Sequence, residues 1–276
     1  MSPNITPLSR YLGAQVDGVD LREPITDEVF RVVLDAWHRY GVLRFRDQQI
    51  GSAHLKAFSE RFGRLAIHIH KEFLDPEHPE ILLLSNRKHP DGRPMGLAET
   101  GRRWHSDLQY AAEPCIASVL FGEQVPTIGG DTEFASTTAA YDALDDSTRQ
   151  LLDGLVAIQS YAKTTRDGVD EARRKVVPDV QHPAVLVHPA TGRKALYVSE
   201  SMTRGFVGMP ESESEPLLAR LVAHNARPTF RWAQQWQAGD VIIWDNRAVI
   251  HRATPYDLSQ TRHMKRTTVM PQHAGI

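Results

Sequence analysis

The chain has 276 residues, of which 41% are hydrophobic and 24% are charged, a composition typical of a folded globular protein and not of a disordered segment. The net charge of −2, from 32 basic and 34 acidic residues, gives no electrostatic basis for binding nucleic acid or an anionic membrane, so we expect a small-molecule partner. No apolar run could cross a bilayer, the N-terminal stretch MSPNITPLSRYLGAQ lacks an apolar signal core, and the single cysteine, Cys115, excludes an internal disulfide, which together favour a reducing cytoplasm.

Several segments carry helix signals. Residues 26–40 combine a capping threonine with apolar residues at helical spacing, and Gly41 follows where a C-terminal cap is expected. The next residues, 42–46, alternate as a strand does. Residues 52–62 are predicted to form a second helix that ends at Gly63. Further helices are predicted over residues 146–155 and 213–223.

Short strand-like segments separated by turn residues fill the remainder. Residues 188–199 place a glycine-containing turn between apolar runs, and residues 238–253 repeat the pattern with turns at Gly239-Asp240 and Asp245-Asn246. No repeat, low-complexity tract or long linker divides the chain, so residues 1–276 are predicted to form a single domain. The pattern predicts an α+β fold, mainly β, in which helices flank a double-sheet jelly roll.

The stretch RWHSDLQY, at residues 103–110, is predicted to be loop followed by strand. Because side chains two residues apart on a strand share a face, His105 and Asp107 could bind one ion together. His251, at the end of the strand-like AVIH, is the candidate third ligand. Two histidines and a carboxylate on one face make the facial triad that holds non-haem Fe(II) with open positions. An isolated H-x-D is common by chance, so ordinary core or surface residues are the alternative.

Two arginines follow His251 in the stretch TRHMKRTTV. Arg262 and Arg266 have an even separation and would share one face of a strand. Guanidinium groups beside an open metal site require anions, and planar, bidentate binding of carboxylates is typical of arginine. The alternative is a pair of solvated charges on an edge strand.

Four motifs of the sequence together carry a family resemblance. WHSD, the distal WDNRAVIHRA, the trailing RHMKR and GGDTEF at residues 129–134 together resemble the Fe(II)/2-oxoglutarate-dependent dioxygenases of the taurine dioxygenase and 2,4-dichlorophenoxyacetate dioxygenase group. The resemblance runs from LGAQVDGVDLREPI near the N-terminus to RTTV near the C-terminus. It implies a double-stranded β-helix, a homo-oligomer, and the use of Fe(II), 2-oxoglutarate and dioxygen.

Position by position, the resemblance makes His105, Asp107 and His251 the iron ligands. It makes Thr132 and Arg262 the partners of the distal carboxylate of 2-oxoglutarate, a pairing that would satisfy both the charge and the lone pairs of a buried anion. Arg266 matches an arginine that faces the primary substrate's anionic group or the cosubstrate's inner carboxylate. For Thr132, an ordinary β-branched strand residue is the alternative.

Four further residues are candidate substrate contacts. His68 or His70, in FGRLAIHIHKEF, falls near the position at which taurine-type members hold a sulfonate; a surface or packing role is the alternative for either one. Asn86 resembles a family asparagine at the cavity edge. Leu108 follows the metal motif and would add a backbone N–H and an apolar wall. The glycine-rich, charged segment 86–103 is predicted to be a mobile lid over the site.

The resemblance therefore implies an oxygenase that hydroxylates a small organic anion, a carboxylate or a sulfonate, while 2-oxoglutarate is converted to succinate and carbon dioxide. Hydroxylation next to oxygen, nitrogen or sulfur would cleave that C–O, C–N or C–S bond. Because Asp107 supplies a carboxylate ligand, halogenases that lack this ligand are disfavoured. The alternatives are desaturation of a small amino-acid-derived substrate by the same iron centre, a non-catalytic jelly-roll protein that binds a metal and an anion, and a zinc hydrolase.

Overall fold

The computed structural model describes residues 2–164, 175 and 177–272. In these ranges the α-helices are α1 (Asp27–Tyr40), α2 (Ser52–Glu60), α3 (Thr137–Asp142), α4 (Asp146–Leu152) and α5 (Glu211–Asn225). The strands are β1 (Asn4–Pro7), β2 (Ala14–Asp17), β3 (Val42–Phe45), β4 (Arg64–Leu65), β5 (Ile81–Ser85), β6 (Ala117–Gln124), β7 (Thr132–Ser136), β8 (Val156–Gln159), β9 (Val180–Pro183), β10 (Val185–Val187), β11 (Lys194–Leu196), β12 (Thr203–Phe206), β13 (Arg231–Gln234), β14 (Val241–Asp245), β15 (Val249–Ala253) and β16 (His263–Met270). The fold is therefore α+β and mainly β.

An eight-stranded sheet forms the centre of the fold. Its strands run in the order β1-β2-β3-β14-β6-β16-β4, and β5 pairs with β16 outside this path. Neighbouring strands are antiparallel except β2 and β3, which are parallel. A separate three-stranded antiparallel sheet has the order β13-β7-β15. The two sheets share one hydrophobic cluster, to which β5, β6, β14 and β16 contribute from the large sheet and β7 and β15 from the small one.

Strand β14 shows why the central strands are apolar without interruption. Successive side chains of a strand point to opposite faces. Val241 and Ile243 pack in the cluster that includes α1 and α2, whereas Ile242 and Trp244 pack with Phe134 of β7 in the cluster between the sheets. Helices therefore cover one face of the large sheet, and the small sheet covers part of the other.

Helix α1 begins and ends where its sequence predicts. The hydroxyl of Thr26 accepts a hydrogen bond from the N–H of Val29 at 3.3 Å, which satisfies one free donor of the first turn. Gly41 has a φ of 69°, and its N–H donates to the carbonyl oxygen of Trp37 at 2.8 Å. Strand β3 then follows as predicted.

The other predicted helices differ from the observed ones at their ends. Helix α2 stops at Glu60, before the predicted terminus at residue 62. Helix α4 also stops early, because the backbone becomes extended at Asp153. Helix α5 extends beyond the predicted 213–223 at both ends, and α3 has no counterpart among the predicted helices. In the described part of the chain, no helix is long and apolar enough to span a membrane.

The two predicted strand pairs have different outcomes. Residues 188–193 form the turn between the antiparallel strands β10 and β11, which confirms the predicted hairpin. Residues 238–253 also form two strands, β14 and β15, but these strands do not pair with each other. Strand β14 lies in the large sheet and β15 in the small one. The polar turn that begins at Asp245 therefore carries the chain from one sheet to the other.

Candidate active site

Three buried side chains, those of His105, Asp107 and His251, come together beside the edge strand β15. Nε2 of His105 lies 3.7 Å from Oδ1 of Asp107, and Nε2 of His251 lies 3.7 Å from Oδ2 of the same carboxylate. One candidate ligand atom from each residue lies within 4.8 Å of the other two. Among the described residues, this is the only cluster of three or more such side chains close enough to hold one metal ion.

A backbone bridge fixes the two histidines relative to each other. The N–H of His105 donates to the carbonyl oxygen of His251 at 3.0 Å, and the N–H of His251 donates back at 2.8 Å. The strand predicted within residues 103–110 is wrong, because pairing is confined to this bridge and the chain then turns at Asp107. Leu108, in the turn, has a φ of 50°. The turn, and not strand alternation, places the Asp107 carboxylate beside the imidazoles.

Hydrogen bonding and burial set the protonation of the two imidazoles. Nδ1 of His105 lies 2.9 Å from the carbonyl oxygen of Arg103, which can only accept, so Nδ1 carries the hydrogen and Nε2 keeps its lone pair. Burial lowers the pKa of His105 and holds the pKa of His251 well below its usual value, so both rings are neutral near pH 7. Neutral imidazole is the form that binds metals.

Asp107 is ionised although it is buried. Burial favours the neutral acid, but nearby positive charge and hydrogen bonds outweigh it and hold the pKa of Asp107 below its usual range. Nη1 of Arg266 donates to Oδ1 at 3.0 Å, and the hydroxyl of Ser118 donates to Oδ2 at 2.6 Å. One carboxylate and two neutral imidazoles are the donor set of the Fe(II) facial triad. Metal bonds of about 2.0–2.2 Å can span donors at the observed separations.

Asn246 supports Asp107 from behind. Its Oδ1 accepts from the N–H of Asp107 at 3.1 Å and from the indole N–H of Trp244 at 3.0 Å. Its amide nitrogen donates to Ser118 Oγ at 3.1 Å and to Cys115 Sγ at 3.2 Å. Asn246 and Ser118 were not predicted as site residues. The available signal was a serine within the otherwise apolar stretch ASVLF, a position at which a buried hydroxyl needs a specific partner.

Asp245, the preceding residue, forms a second buried network. Its Oδ2 lies 2.8 Å from Nε2 of His188, and the guanidinium of Arg247 donates to its two oxygens at 2.8 and 2.7 Å. Burial opposes ionisation, but these partners outweigh it and hold the pKa of Asp245 below its usual range. The network joins the turn after β14 to the turn between β10 and β11.

A narrow cavity beside the histidines is lined by Arg262 and Thr132. Arg262 is only 7% exposed, and no carboxylate in the described ranges forms an ion pair with its guanidinium. Burial lowers the pKa of Arg262 to about 10, so the side chain remains a cation near pH 7. The hydroxyl of Thr132 accepts from the indole N–H of Trp236 at 3.1 Å, which leaves its own hydrogen for another acceptor. The two residues thus present a positive charge and a hydrogen-bond donor to the same cavity.

A larger cavity of about 410 Å³ lies next to the metal cluster and is lined by Arg266, His68, His70 and Leu108. The rings of His68 and His70 stack with their centroids 5.3 Å apart. Burial, followed by the charge of Arg266, lowers the pKa of His68 to about 4, so His68 is neutral near pH 7. Both histidines and Leu108 therefore border the same cavity.

Asn86, predicted to contact the substrate, has protein partners at both ends of its amide. Its amide nitrogen donates to the carbonyl oxygens of Leu258 at 3.2 Å and Gln260 at 2.8 Å, while its Oδ1 accepts from the N–H of Arg262 at 2.9 Å. Asn86 is not among the residues that line either cavity. Both ends of the Asn86 amide are hydrogen-bonded to the loop before β16, so Asn86 holds the backbone of Arg262 in place.

The segment predicted to be a lid, residues 86–103, has two parts. Backbone hydrogen bonds form a small hairpin at residues 87–95. Each of residues 97–103 lines one or both cavities. Arg102 donates a hydrogen bond to the carbonyl oxygen of Thr254, and this contact ties the second part to the chain just after β15.

Comparisons with known proteins match almost the whole chain. The family model described as "Taurine catabolism dioxygenase TauD, TfdA family" matches residues 4–268. The alpha-ketoglutarate-dependent 2,4-dichlorophenoxyacetate dioxygenase of Cupriavidus pinatubonensis is 32% identical over 284 residues, covering 98% of this chain and 98% of that protein. The alpha-ketoglutarate-dependent sulfate ester dioxygenase of Pseudomonas putida is 32% identical over 282 residues, covering 96% of this chain and 89% of that protein. The crystal structure of AAD-2 in complex with Mn(II) and N-oxalylglycine matches with a TM-score of 0.84 at 32% identity, covering 100% of both chains.

Proposed function

The chain belongs to the taurine catabolism dioxygenase TauD, TfdA family, and from this premise we propose that His105, Asp107 and His251 hold the Fe(II) of an oxygenase that hydroxylates a small organic anion. Membership makes the protein an Fe(II)- and 2-oxoglutarate-dependent dioxygenase, and it decides against the zinc-hydrolase and binding-protein alternatives. The observation that carries the assignment of ligands is the buried cluster whose donor atoms lie within 4.8 Å of one another.

We also propose how the two sheets, the domain and the lid are arranged. We infer that the two sheets form a double-stranded β-helix, because they share one core and because the chain crosses between them after Asp245. Residues 1–276 then make one domain, since β1 near the start and β16 near the end belong to the same sheet. Residues 97–103 act as the inner part of a lid over the metal cluster. A homo-oligomer stays a prediction, which sedimentation analysis tests.

The cavity of Arg262 and Thr132 is proposed to bind the distal carboxylate of 2-oxoglutarate. A buried guanidinium without a carboxylate partner is unfavourable unless an anion completes it. The planar fork of Arg262 suits a carboxylate, and the hydroxyl hydrogen of Thr132 supplies a further donor. The same cavity is lined by His105 and His251, so an acid bound at Arg262 extends toward the metal cluster.

The larger cavity is proposed to bind the primary substrate, with the substrate's anionic group near Arg266. Nη1 of Arg266 is committed to Asp107, but its Nε is buried and has no hydrogen-bond partner among the residues that the structure describes. Tyr110 and Tyr161, whose ring centroids lie 4.6 Å apart, provide an aromatic wall. The volume suits a small molecule. We therefore propose a small carboxylate, sulfonate or sulfate ester as substrate, and cleavage of the bond when the hydroxylated carbon carries a heteroatom.

The protein's part in this reaction is to bind, orient and exclude water. Fe(II), when bound, supplies the redox chemistry that couples oxidation of the substrate to decarboxylation of 2-oxoglutarate with dioxygen. Asp107, held by Ser118 and Arg266, fills the carboxylate position and leaves no ligand vacancy for a halide. The segment at residues 97–103 shields the metal cluster from solvent.

Anaerobic titration tests the function. Fe(II) and 2-oxoglutarate together should give a visible metal-to-ligand charge-transfer band in the wild type and none in His251→Ala. A screen of small carboxylates, sulfonates, sulfate esters and amino acids, followed as substrate-dependent succinate formation, should then identify the substrate class. Absence of the band in the wild type, or a band that His251→Ala retains, would show that the proposed ligand set is wrong.

A further inference from the structure

Tyr256 lies in the loop that follows β15 and lines the same cavity as Arg262 and Thr132. Its backbone forms an isolated bridge with Gly129, which has a φ of 76°. A Cβ atom at Gly129 would lie 2.6 Å from the carbonyl oxygen of Pro255, closer than atoms can pack. Glycine therefore lets the turn that precedes Thr132 close against the loop that carries Tyr256.

The hydroxyl of Tyr256 is buried and has no hydrogen-bond partner within residues 2–164, 175 and 177–272. Buried tyrosine hydroxyls usually find a partner, since leaving one unsatisfied is unfavourable. Burial raises the pKa of Tyr256, so the hydroxyl keeps its hydrogen near pH 7 and can donate it. A donor without an acceptor in this cavity points to an acceptor on a ligand.

Two guanidinium groups lie close to the Tyr256 ring. Cζ of Arg262 is 5.9 Å and Cζ of Arg102 is 5.7 Å from the ring centroid. Arg102 is paired with Glu99 at 3.6 Å, so among the described residues the positive charge without a carboxylate partner is that of Arg262. Together with the hydroxyl of Thr132, Arg262 gives this end of the cavity more hydrogen-bond donors than acceptors. Such a set favours a carboxylate over a neutral group.

A carboxylate can accept about four hydrogen bonds. In the proposed function, the fork of Arg262 supplies two of them and Thr132 supplies one, so one position is left. We propose that the Tyr256 hydroxyl donates this remaining hydrogen bond to the distal carboxylate of 2-oxoglutarate, and thereby contributes to selection of a five-carbon dicarboxylate as cosubstrate. This inference rests on the proposed function of the Arg262 cavity.

Thr254 offers a matched comparison. Thr254 also lines this cavity, and its hydroxyl is buried without a partner in the described part of the chain. Unlike Tyr256, Thr254 contacts Arg102 through its carbonyl oxygen, and its N–H donates to Asp131 at 2.8 Å. Because the Tyr256 ring lies beside Arg262 itself, the inference assigns the carboxylate contact to Tyr256 and not to Thr254.

Calorimetric titration of 2-oxoglutarate into the anaerobic Fe(II)-loaded protein tests the inference without turnover. Tyr256→Phe removes only the hydroxyl and should raise the Kd for 2-oxoglutarate roughly 10-fold or more, the range for a hydrogen bond to a charged group. Thr254→Val should leave the Kd within about twofold of the wild type, because its hydroxyl makes no contact with the carboxylate.

A second ligand separates a direct contact from a general disturbance of the cavity. The probe is 2-oxobutyrate, which keeps the 2-oxo acid end and lacks the distal carboxylate. Wild type and Tyr256→Phe should bind 2-oxobutyrate with the same Kd, so the effect of the substitution should depend on the distal carboxylate. An equal loss of affinity for both acids in Tyr256→Phe would overturn the inference.

Two controls keep this inference distinct from the proposed function. Arg262→Ala should weaken 2-oxoglutarate binding whether or not Tyr256 contributes. If wild type binds 2-oxoglutarate and Arg262→Ala does not, while Tyr256→Phe binds as the wild type does, only the role of Tyr256 is refuted. If Thr254→Val is the weakened variant in place of Tyr256→Phe, the contact has been assigned to the wrong hydroxyl. If the wild type does not bind 2-oxoglutarate, both the proposed function and this inference fall.

Discussion

Two buried polar regions adjoin Asp107, and they differ in how completely the protein satisfies them. In the turn after β14, both ends of the Asn246 amide and both oxygens of Asp245 are hydrogen-bonded. Among the residues that line the cavities, Arg266 has a buried Nε and Tyr256 a buried hydroxyl, each without a partner in the described part of the chain. An unsatisfied buried polar group costs about 1–3 kcal/mol. We propose that the satisfied groups hold the fold and that the unsatisfied groups of the cavities bind a ligand.

The largest expected effect comes from removing one of the candidate metal ligands beside the unsatisfied region. Replacing His105, Asp107 or His251 with alanine should abolish substrate-dependent succinate formation, because two ligands do not make a facial triad. Circular dichroism should show that each variant still folds. Urea titration should show a lower free energy of unfolding for Asp107→Ala, which leaves Arg266 without its buried partner, and for His251→Ala, whose ring centroid lies 4.6 Å from that of Trp244. Substantial turnover in any one of the three variants would show that the residue is not a ligand.

The next largest effect is a loss of stability when the satisfied region loses the charge of Asp245. Asp245→Asn leaves Arg247 and His188 without their anion, and loss of one partner from a buried pair costs about 3–5 kcal/mol of the free energy of unfolding. Urea titration should show this loss, while the Kd for 2-oxoglutarate of the folded variant should stay within about twofold. A variant of unchanged stability with weakened cosubstrate binding would reverse the roles given to the two regions.

The pH dependence of Asp245 follows from its lowered pKa. A carboxyl group whose folded pKa is lowered contributes stability that is fully present above the unfolded pKa of about 3.9, and loses it as the pH falls through the folded pKa. The stability difference between wild type and Asp245→Asn should therefore be constant from about pH 5 to 8 and should narrow only below about pH 4.

Within the unsatisfied region, Arg262 and Arg266 are expected to affect different ligands. Arg262→Ala should raise the apparent KM for 2-oxoglutarate by roughly thirtyfold or more, the equivalent of about 2–5 kcal/mol for a desolvated anion that has lost its charge partner. Arg262→Lys should rescue this only partly, because a point charge cannot replace the planar fork.

Arg266→Ala should instead weaken the primary substrate and leave uncoupled 2-oxoglutarate decarboxylation measurable, because Arg262 still anchors the cosubstrate. Initial rates over a range of both substrates separate the two effects. If both alanine variants changed the KM for 2-oxoglutarate equally and left the primary substrate unaffected, recognition of an anionic substrate by Arg266 would be refuted.

The smallest effect concerns His68. Because burial lowers its pKa to about 4, His68 is neutral from pH 6 to 8 and offers the substrate a neutral hydrogen bond, not a charge. His68→Gln should raise the substrate KM roughly 2- to 10-fold, independently of pH in that range. His70→Gln is the control and should have a smaller effect, since Nδ1 of His70 is within 3.4 Å of Glu72. A KM effect that grows as the pH falls to 6 would mean that His68 binds as a cation.

Local and long-range features differ in how well the sequence predicts them. Helix α1 is predictable because its capping threonine and terminal glycine lie next to it in the sequence. Strand β14 is predictable because its consecutive apolar residues are adjacent in the sequence. The turn at Asp107 is not, because its position depends on a backbone bridge to a residue far along the chain, His251. Tyr256 was missed for a similar reason: only the folded chain shows that its hydroxyl has no acceptor.

The bridge between His105 and His251 also bears on when the proposed metal site can form during synthesis of the protein. His105 and Asp107 leave the ribosome well before His251, and the third ligand is positioned only after β15 has paired with β7. A nascent chain that stops before residue 251 therefore carries at most two of the three proposed ligands. With these three residues as ligands, we expect iron to bind only after β15 has been translated and not to assist folding of the first half of the chain.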